Sequence, residues 1–176
     1  PAPGAGGDAD CDRTVAGGVT LEPLLGPGLR VAIVGTISAR HRAEREHYYA
    51  GAGNQFWRFL HEAGLTPRRL DPEEDALLPG FGVGVTDLVS GDLAGLRHEL
   101  AAAAPLAVAF VSKTAATDYA RLARERHPRG YGPLSWSVAG APAFVLPGPS
   151  GANNGMPLPL RIALWRDLAD FLETLE

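Results

Sequence analysis

The chain has 176 residues, a formal net charge of −4 and 45% hydrophobic residues. A chain of this length is expected to fold as one domain whose core needs no disulfide or metal. The acidic balance argues against a protein that binds nucleic acid broadly through its net charge. It does not exclude a local basic surface, because phosphate contacts depend on where the positive charges lie.

Neither a membrane segment nor a cysteine site is indicated. No apolar run reaches the roughly 18 residues that span a bilayer, and the start shows no secretory signal pattern. The lone cysteine, Cys11, excludes an internal disulfide and a cysteine cluster for a metal. We therefore expect a cytoplasmic protein that contacts no membrane.

Strand and helix patterns alternate along the chain. Residues 1–18 are rich in Gly, Ala, Pro and Asp and predict a disordered leader, so the folded domain is expected over 19–176. Apolar runs predict strands at 30–35, 82–89, 106–111 and 143–147, and helical spacing predicts helices at 54–63, 92–103, 114–126 and 159–175. A short helix and turn is expected between 67 and 79, and a loop rich in Pro and Gly follows the third helix. The alternation predicts an α/β fold, a three-layer α/β/α sandwich with a mainly parallel four-stranded central sheet.

The segment from His47 to Trp57, His-Tyr-Tyr-Ala-Gly-Ala-Gly-Asn-Gln-Phe-Trp, carries the most chemical information. It follows the first strand, and ligands of open α/β sheets bind beyond the carboxyl ends of strands. An aromatic ring offers a stacking face, glycines let a ligand approach the backbone, and Asn54 can donate and accept hydrogen bonds. The segment therefore has the parts needed to hold a planar heterocycle. An ordinary loop that packs its Tyr and Trp into the core would show the same composition.

This segment resembles the first active-site region of the uracil-DNA glycosylase superfamily, in particular its mismatch-specific uracil/thymine branch. That branch has a strand, a Gly-Ile-Asn-Pro-Gly loop and an aromatic-Ala-x-Pro-x-Asn-x-Phe-Trp segment that opens a helix. Further segments resemble the family in the same order, namely 64–68, 82–89, 107–113 and 145–151. The resemblance covers about residues 29–172 and implies base excision from DNA without a cofactor or metal.

The chain departs from that branch in the loop after the first strand. Where the branch has Gly-Ile-Asn-Pro-Gly, this chain has Gly35-Thr36-Ile37-Ser38-Ala39. The asparagine that positions water in that branch is thus replaced by Ile37, which cannot orient water. The Tyr48-Tyr49 pair and the missing asparagine also resemble hypoxanthine-excising and other atypical branches.

The resemblance implies roles for individual residues. Tyr49 aligns with the aromatic residue that stacks on the flipped base, and the 35–38 loop would line the base pocket. Asp87 and Asn54 are the candidates for water activation and base contact, with His47 as a further catalytic candidate. Each has a simpler reading: core packing for Tyr49, a strand-end or capping residue for Asp87, a helix cap for Asn54, and a solvated side chain for His47.

Contacts with the DNA backbone are expected from two loops and a few cations. The Pro-Ser-Gly loop offers backbone N–H groups and a hydroxyl to a phosphate, although a plain tight turn would have the same residues. The expected contacts are Ser150, Gly151, Ala152, Asn153, Lys113, Arg40 and Arg42. A second basic group, Arg121, Arg124, Arg126, His127 and Arg129, is interpreted as the solvated face of a helix.

The resulting hypothesis is a monomeric bacterial DNA glycosylase, associated with the nucleoid, that hydrolyses the N-glycosidic bond of uracil or another deaminated base. Its partner is DNA containing that base. A nucleoside or nucleotide N-glycosidase acting outside DNA is the alternative enzyme. A damaged-DNA binding module that lost its water-positioning group at Ile37 is the alternative without catalysis.

Overall fold

The computed structural model describes residues 21–152 and 155–176. The predicted leader over 1–18, with Cys11, lies outside these residues. The described helices and strands are, in chain order, β1 (Val31–Ile37), α1 (Ala39–Ala43), α2 (Phe56–Glu62), a 3₁₀ helix (Pro72–Phe81), β2 (Val83–Val89), α3 (Leu93–Ala103), β3 (Ala107–Val111), α4 (Lys113–Ala123), β4 (Gly132–Val138), β5 (Ala141–Leu146) and α5 (Leu158–Glu173).

The strands form one sheet in the order β2-β1-β3-β5-β4. Neighbours among β2, β1, β3 and β5 run parallel, and β4 pairs antiparallel with β5. The predicted α/β fold with a mainly parallel sheet is therefore confirmed, and its four predicted strands are those that run parallel. The sheet has a fifth strand, β4, where a loop was expected. Gly132 and Pro133 hid it from a pattern reading, and proline is tolerated there because β4 is an edge strand.

Helices cover both faces of the sheet. Phe56, Phe59 and Trp165 of α2 and α5 are buried against one face. Leu96 of α3 and Tyr119 of α4 are buried against the other. The strands between them are apolar throughout, as a parallel sheet covered on both faces requires. None of the described helices is long and apolar enough to cross a membrane.

Two local differences from the sequence prediction matter for the site. The loop after β1 is shorter than expected because α1 begins at Ala39, capped by the Ser38 hydroxyl, which accepts from the His41 N–H. Helix α4 ends at Ala123, because Arg124 adopts the left-handed conformation with φ 58°.

The register of the sheet assembles the candidate site. Parallel strands end at the same edge, and β1 and β2 pair Gly35 directly with Asp87. Val111 closes β3 and Leu146 closes β5 at this edge. The loops that follow these strands therefore meet above Gly35 and Asp87.

Candidate active site

A cavity of about 460 Å³ opens at this edge of the sheet. Its size is typical of sites for small molecules. It is bounded by the ends of β1, β2 and β3, the start of α2 and the loop after β5. The lining residues are Gly35, Thr36, Ile37, His41, Arg45, Tyr49, Asn54, Asp87, Val111, Ser112, Gly148, Pro149 and Ser150.

At the floor of the cavity, the Asp87 carboxylate and the Tyr49 hydroxyl both lie next to Gly35, which has no side chain. A Cβ atom added to Gly35 would lie 2.6 Å from Asp87 Oδ1 and 3.3 Å from the Tyr49 hydroxyl. Both contacts are too close for any larger residue unless one of these groups moves. Glycine at position 35 therefore leaves both polar groups within reach of the same small ligand.

Asp87 is buried and has one ion-pair partner in the described structure. The residue is 6% exposed, and Arg45 Nη2 donates to its Oδ2 across 3.0 Å. Burial raises the pKa of the Asp87 carboxyl, while the positive charges of Arg45 and Arg42 act in the opposite direction. Since Arg45 occupies Oδ2, the second oxygen is the one that lies beside Gly35.

Tyr49 has an uncommon backbone conformation and a packed ring. Its φ of 50° lies in the left-handed region, which disfavours a residue with a side chain. Its ring stacks on Phe56 with 4.0 Å between the ring centroids. Its hydroxyl is buried and has no hydrogen-bond partner in the described residues. A buried hydroxyl without a partner is rare in a folded protein and calls for a ligand or water.

Ser112 is a second strained residue in the cavity wall. Its φ of 118° and ψ of 157° fall in a region that is essentially restricted to glycine. The strain is held in place because the Ser112 hydroxyl caps α4 by accepting from the Ala115 N–H. Helix α4 thus begins at the cavity, and the positive end of its dipole favours negative charge there.

The neighbours of Tyr49 support the loop and do not line the cavity. Tyr48 is fully buried, its hydroxyl donates to the Glu22 carbonyl at 3.0 Å, and its backbone N–H donates to Asp75 Oδ2 at 3.1 Å. His47 Nδ1 lies 3.3 Å from the same Asp75 oxygen. The catalytic candidate His47 is thereby placed beside Asp75, away from the lining of the cavity.

Asn54 combines a structural contact with a place in the cavity wall. Its Oδ1 accepts from the Phe56 N–H at 2.9 Å, at the start of α2. This contact satisfies an N–H group that the helix itself leaves without a partner. With Oδ1 engaged, the side-chain NH₂ group is what Asn54 can offer to a ligand or water.

The loop that follows β5 is fixed by the last helix and by the start of α2. Arg161 donates from Nη2 to the carbonyls of Gly148, at 2.6 Å, and Ser150, at 3.0 Å. The Trp165 indole N–H donates to the Pro147 carbonyl at 3.2 Å. On the other side, the Gln55 N–H donates to the Pro149 carbonyl at 2.8 Å.

Glycines let the two loops touch directly. A Cβ atom added to Gly151 would lie 2.8 Å from the Gly53 carbonyl oxygen. Gly53 itself has a φ of 74°, in the left-handed region. The pair brings the segment after β1 and the segment after β5 into backbone contact beside the cavity.

The predicted DNA-contact residues lie at the rim or outside it. Ser150 lines the cavity, and its hydroxyl accepts from the Ala152 N–H at 3.2 Å. Lys113 Nζ lies 5.4 Å from the centre of the Tyr131 ring. Arg40 pairs with Glu44, and Arg42 donates to the Leu21 carbonyl. Asn153 lies outside the described residues.

About half of the residues that line the cavity were predicted from the sequence. Gly35, Thr36, Ile37, Tyr49, Asn54, Asp87 and Ser150 were predicted and line the cavity, whereas Ser38 serves as the cap of α1. Arg45, His41 and Ser112 were missed as lining residues. Ser112 follows the third predicted strand, so the rule about strand ends could have found it. Nothing in the sequence indicated that Arg45 would turn back onto Asp87.

Within residues 21–152 and 155–176, no group of three or more His, Cys, Asp or Glu side chains is arranged to hold a metal ion. The polar lining consists of one buried carboxylate with its arginine, one phenol, one amide, one imidazole and several hydroxyls. Such a set can bind a polar heterocycle through hydrogen bonds and can position water.

Comparison with known proteins identifies the family. The fold is similar to the solution NMR structure of a proposed uracil DNA glycosylase from Methanosarcina acetivorans, with a TM-score of 0.58 and 21% sequence identity. The match covers 86% of this chain and 96% of that one, and at this identity it concerns the fold alone. A sequence model of the uracil DNA glycosylase superfamily matches residues 23–169. The superfamily predicted from the sequence is thus confirmed, while the branch stays a prediction. This chain belongs to the uracil DNA glycosylase superfamily.

Proposed function

We propose that the protein is a DNA glycosylase that hydrolyses the N-glycosidic bond of uracil or another deaminated base in DNA. One observation carries the proposal: the Asp87 carboxylate and the unpaired Tyr49 hydroxyl meet at Gly35, inside a cavity at the ends of the strands. The superfamily match supports DNA as the substrate. A base in duplex DNA must leave the stack to enter such a cavity.

The base would be held between Tyr49 and the polar floor. Phe56 supports the Tyr49 ring from one side, so the ring keeps its orientation when a base stacks on it. The absence of a side chain at Gly35 lets the base approach Asp87 Oδ1 and the Tyr49 hydroxyl. Deaminated bases carry ring N–H groups, which a carboxylate oxygen accepts well.

Breaking the bond places positive charge on the sugar and negative charge on the departing base. The ionised Asp87 stabilises the sugar cation or accepts a proton from the attacking water. Asn54, with its oxygen engaged by Phe56, donates to that water and orients it. The start of α4 at Ser112 and the guanidinium of Arg45 favour the negative charge on the base. Ile37 contributes an apolar wall and takes no part in holding water.

The proposed DNA contacts lie around the cavity. Ser150 lines the cavity, and Gly151 and Ala152 follow it in the chain, where Gly151 contacts Gly53. Lys113 stands at the first turn of α4, next to Ser112. Phosphates that flank the flipped nucleotide would meet these groups, which position the strand without reading its sequence.

A panel of duplex and single-stranded oligonucleotides tests the proposal. Each carries one uracil, hypoxanthine, xanthine or mismatched thymine and is incubated with protein, with and without a chelator, before alkaline cleavage of abasic sites. We expect cleavage at one or more deaminated bases that survives chelation, and no protein trapped on DNA by borohydride. Release of base from free nucleosides alone would indicate the N-glycosidase alternative. Binding to damaged DNA without cleavage would indicate the non-catalytic one.

A further inference from the structure

A second, strongly basic cavity lies at the β4 edge of the sheet, apart from the candidate active site. It has a volume of about 340 Å³ and a mainly polar lining. Its residues are Arg126, His127, Pro128, Arg129, Pro133, Leu134, Ser135 and Trp136. We refer to it as the Arg126–Arg129 cavity. The sequence reading placed its basic residues on a helix, but α4 ends at Ala123, before all of them.

The cavity exists because β4 leaves the regular ladder. Pro133 pairs with Phe144 and Ser137 pairs with Pro142, so three residues of β4 face a single residue of β5. Such a bulge bends the strand and redirects its side chains. Trp136 is 8% exposed, and its indole N–H donates to the Arg126 carbonyl at 2.9 Å. This bond ties the segment after α4 to the edge strand.

The arginines of this cavity are not neutralised by neighbours. Most other arginines of the described chain pair with a carboxylate, donate to a carbonyl or lie over a ring. Within residues 21–152 and 155–176, no such side-chain partner is present for Arg126, Arg129 or the adjacent Arg124. Among the described residues, Arg69 is the remaining arginine without such a side-chain partner, and it lies far from the cavity residues in the sequence. The chain has a net charge of −4, yet the exposed arginines that line this concave site have no acidic partner in the described structure, so the site is locally basic.

The chemistry of the cavity fits a phosphodiester. Guanidinium groups present planar forks of N–H donors that match the oxygens of a phosphate, and they remain charged at any physiological pH. His127 and the Ser135 hydroxyl, which also line the cavity, add further donors. The Trp136 ring is buried and stacked on Tyr119, with 5.5 Å between the centroids, so it does not offer a free face to a base. The cavity is therefore suited to the backbone of a nucleic acid and not to its bases.

The position of the cavity connects it to the candidate active site. Neighbouring strands lie about 4.8 Å apart, so β4 lies about 10 Å from β3, whose end borders the active-site cavity. Lys113 follows Ser112 at that border and contacts the ring of Tyr131, the residue before β4. Bases along one strand are spaced by about 3.4 Å. A DNA strand that leaves the candidate active site past Lys113 and runs toward β4 would thus reach the basic cavity within a few nucleotides.

We propose that the Arg126–Arg129 cavity binds a backbone phosphate of the DNA strand whose base enters the candidate active site. The proposal rests on DNA being the partner, as in the proposed function, but it does not depend on catalysis. It gives an acidic protein a local means of holding DNA through counterion release.

Salt dependence of binding tests the proposal. The affinity of Arg126→Gln and Arg129→Gln for an undamaged duplex is measured by fluorescence anisotropy over a series of salt concentrations. Each phosphate contact contributes about 0.9 to the slope of log affinity against log salt, so each variant should lose up to about that amount. Arg69→Gln is the matched control, since it removes the same charge from another unpaired arginine, and its slope should equal that of the wild type.

A second experiment locates the contact. Single methylphosphonates, which are uncharged, are placed at successive positions on both sides of a deaminated base. In the wild type and in Arg69→Gln, one position a few nucleotides from the lesion should weaken binding, and in Arg129→Gln that position should have no further effect. Three results would each overturn the proposed site. The first is a salt slope in Arg126→Gln and Arg129→Gln equal to that of Arg69→Gln, and the second is a wild type that does not bind DNA. The third is a lower slope without a methylphosphonate position that weakens binding. Lack of base excision with these effects intact would instead count against the proposed function alone.

Discussion

Two aspartates of this protein are equally buried, but their carboxylate oxygens have different partners. Asp75 and Asp87 are each 6% exposed. Asp75 accepts from the backbone of Tyr48 and lies beside His47, so it fixes the loop that follows α1. Asp87 pairs with Arg45 through one oxygen and leaves the other at the floor of the candidate active-site cavity. Burial alone therefore does not distinguish the two carboxylates, whereas the partners of their oxygens do.

The adjacent tyrosines repeat this contrast. The Tyr48 hydroxyl is buried and donates to the Glu22 carbonyl, whereas the Tyr49 hydroxyl is buried without a partner next to Asp87. Tyr49 also has the strained backbone, with φ at 50°. Strain and unsatisfied polar groups are typical of sites that act on ligands. The variants below test whether the two pairs of residues divide in this way.

The largest effect is expected from Asp87→Ala. Positioned acid–base and electrostatic groups contribute about 100- to 10,000-fold in rate, so single-turnover excision should fall by at least about 100-fold. Binding to DNA should be largely kept. Burial raises the pKa of Asp87 in the folded chain. The contribution of Asp87 to the free energy of unfolding is therefore greatest at a pH below the ordinary aspartate pKa, and it is lost as the pH rises through the raised pKa. Near-normal turnover in this variant would remove Asp87 from the chemistry.

The pH profile should show the same residue. If the ionised Asp87 is required, excision should fall by about tenfold per pH unit once the pH drops below its pKa. That pKa lies above the ordinary value for aspartate because of burial, and Arg45 counteracts the rise. Arg45→Gln should therefore move the acid limb to higher pH. An acid limb that stays in place in Arg45→Gln would show that another group controls it.

Truncation of the stacking ring should have the next largest effect. Rings that stack on bases typically contribute about 1–3 kcal/mol by alanine substitution, so Tyr49→Ala should slow excision strongly while changing the melting temperature little. Tyr49→Phe keeps the ring and removes only the unpaired hydroxyl, so it separates the contribution of the hydroxyl from that of the ring. Full excision together with a sharply lower melting temperature in Tyr49→Ala would indicate a core residue instead.

Asp75→Ala should do the reverse of Asp87→Ala. The change leaves the buried Tyr48 N–H without an acceptor, and such a group typically destabilises the fold by about 1–3 kcal/mol. Urea unfolding measures this loss. At a temperature well below the melting point, the excision rate should stay close to that of the wild type. A loss of excision as large as that of Asp87→Ala in a stable protein would erase the contrast between the two aspartates.

The smallest effect is expected from Asn54→Ala. Loss of the side-chain contact with the Phe56 N–H should lower the free energy of unfolding by about 1 kcal/mol, the typical net contribution of one hydrogen bond. Excision should fall less than in Asp87→Ala, since the role proposed for Asn54 is to orient water and not to accept its proton. Asn54→Asp keeps an oxygen that can accept from the Phe56 N–H and lacks the NH₂ donor. If Asn54→Asp recovers the stability but not the rate, both roles are present.

The sequence predicted the sheet well because buried parallel strands are continuous apolar runs with few alternative interpretations. β4 was not predicted because an edge strand that contains Pro133 and a bulge does not show a continuous apolar run. Among the residues that line the cavity, Asp87 was predicted because it lies near the end of a strand pattern, and Tyr49 because its segment resembles a family motif. Arg45 escaped because its role depends on a side chain that returns from beyond α1 to the end of β2, a contact that no local pattern encodes.

The contact between Gly53 and Gly151 has a consequence for when the cavity forms during synthesis of the chain. One glycine lies shortly before α2, and the other lies in the loop that Arg161 and Trp165 of the last helix hold in place. Contacts between segments so distant in sequence form late, since their loop-closure entropy is offset only when much of the chain is ordered. During synthesis on the ribosome, the pocket should therefore remain open until α5 has emerged and docked. A nascent chain without α5 would carry every residue that lines the candidate active site and still lack the assembled cavity.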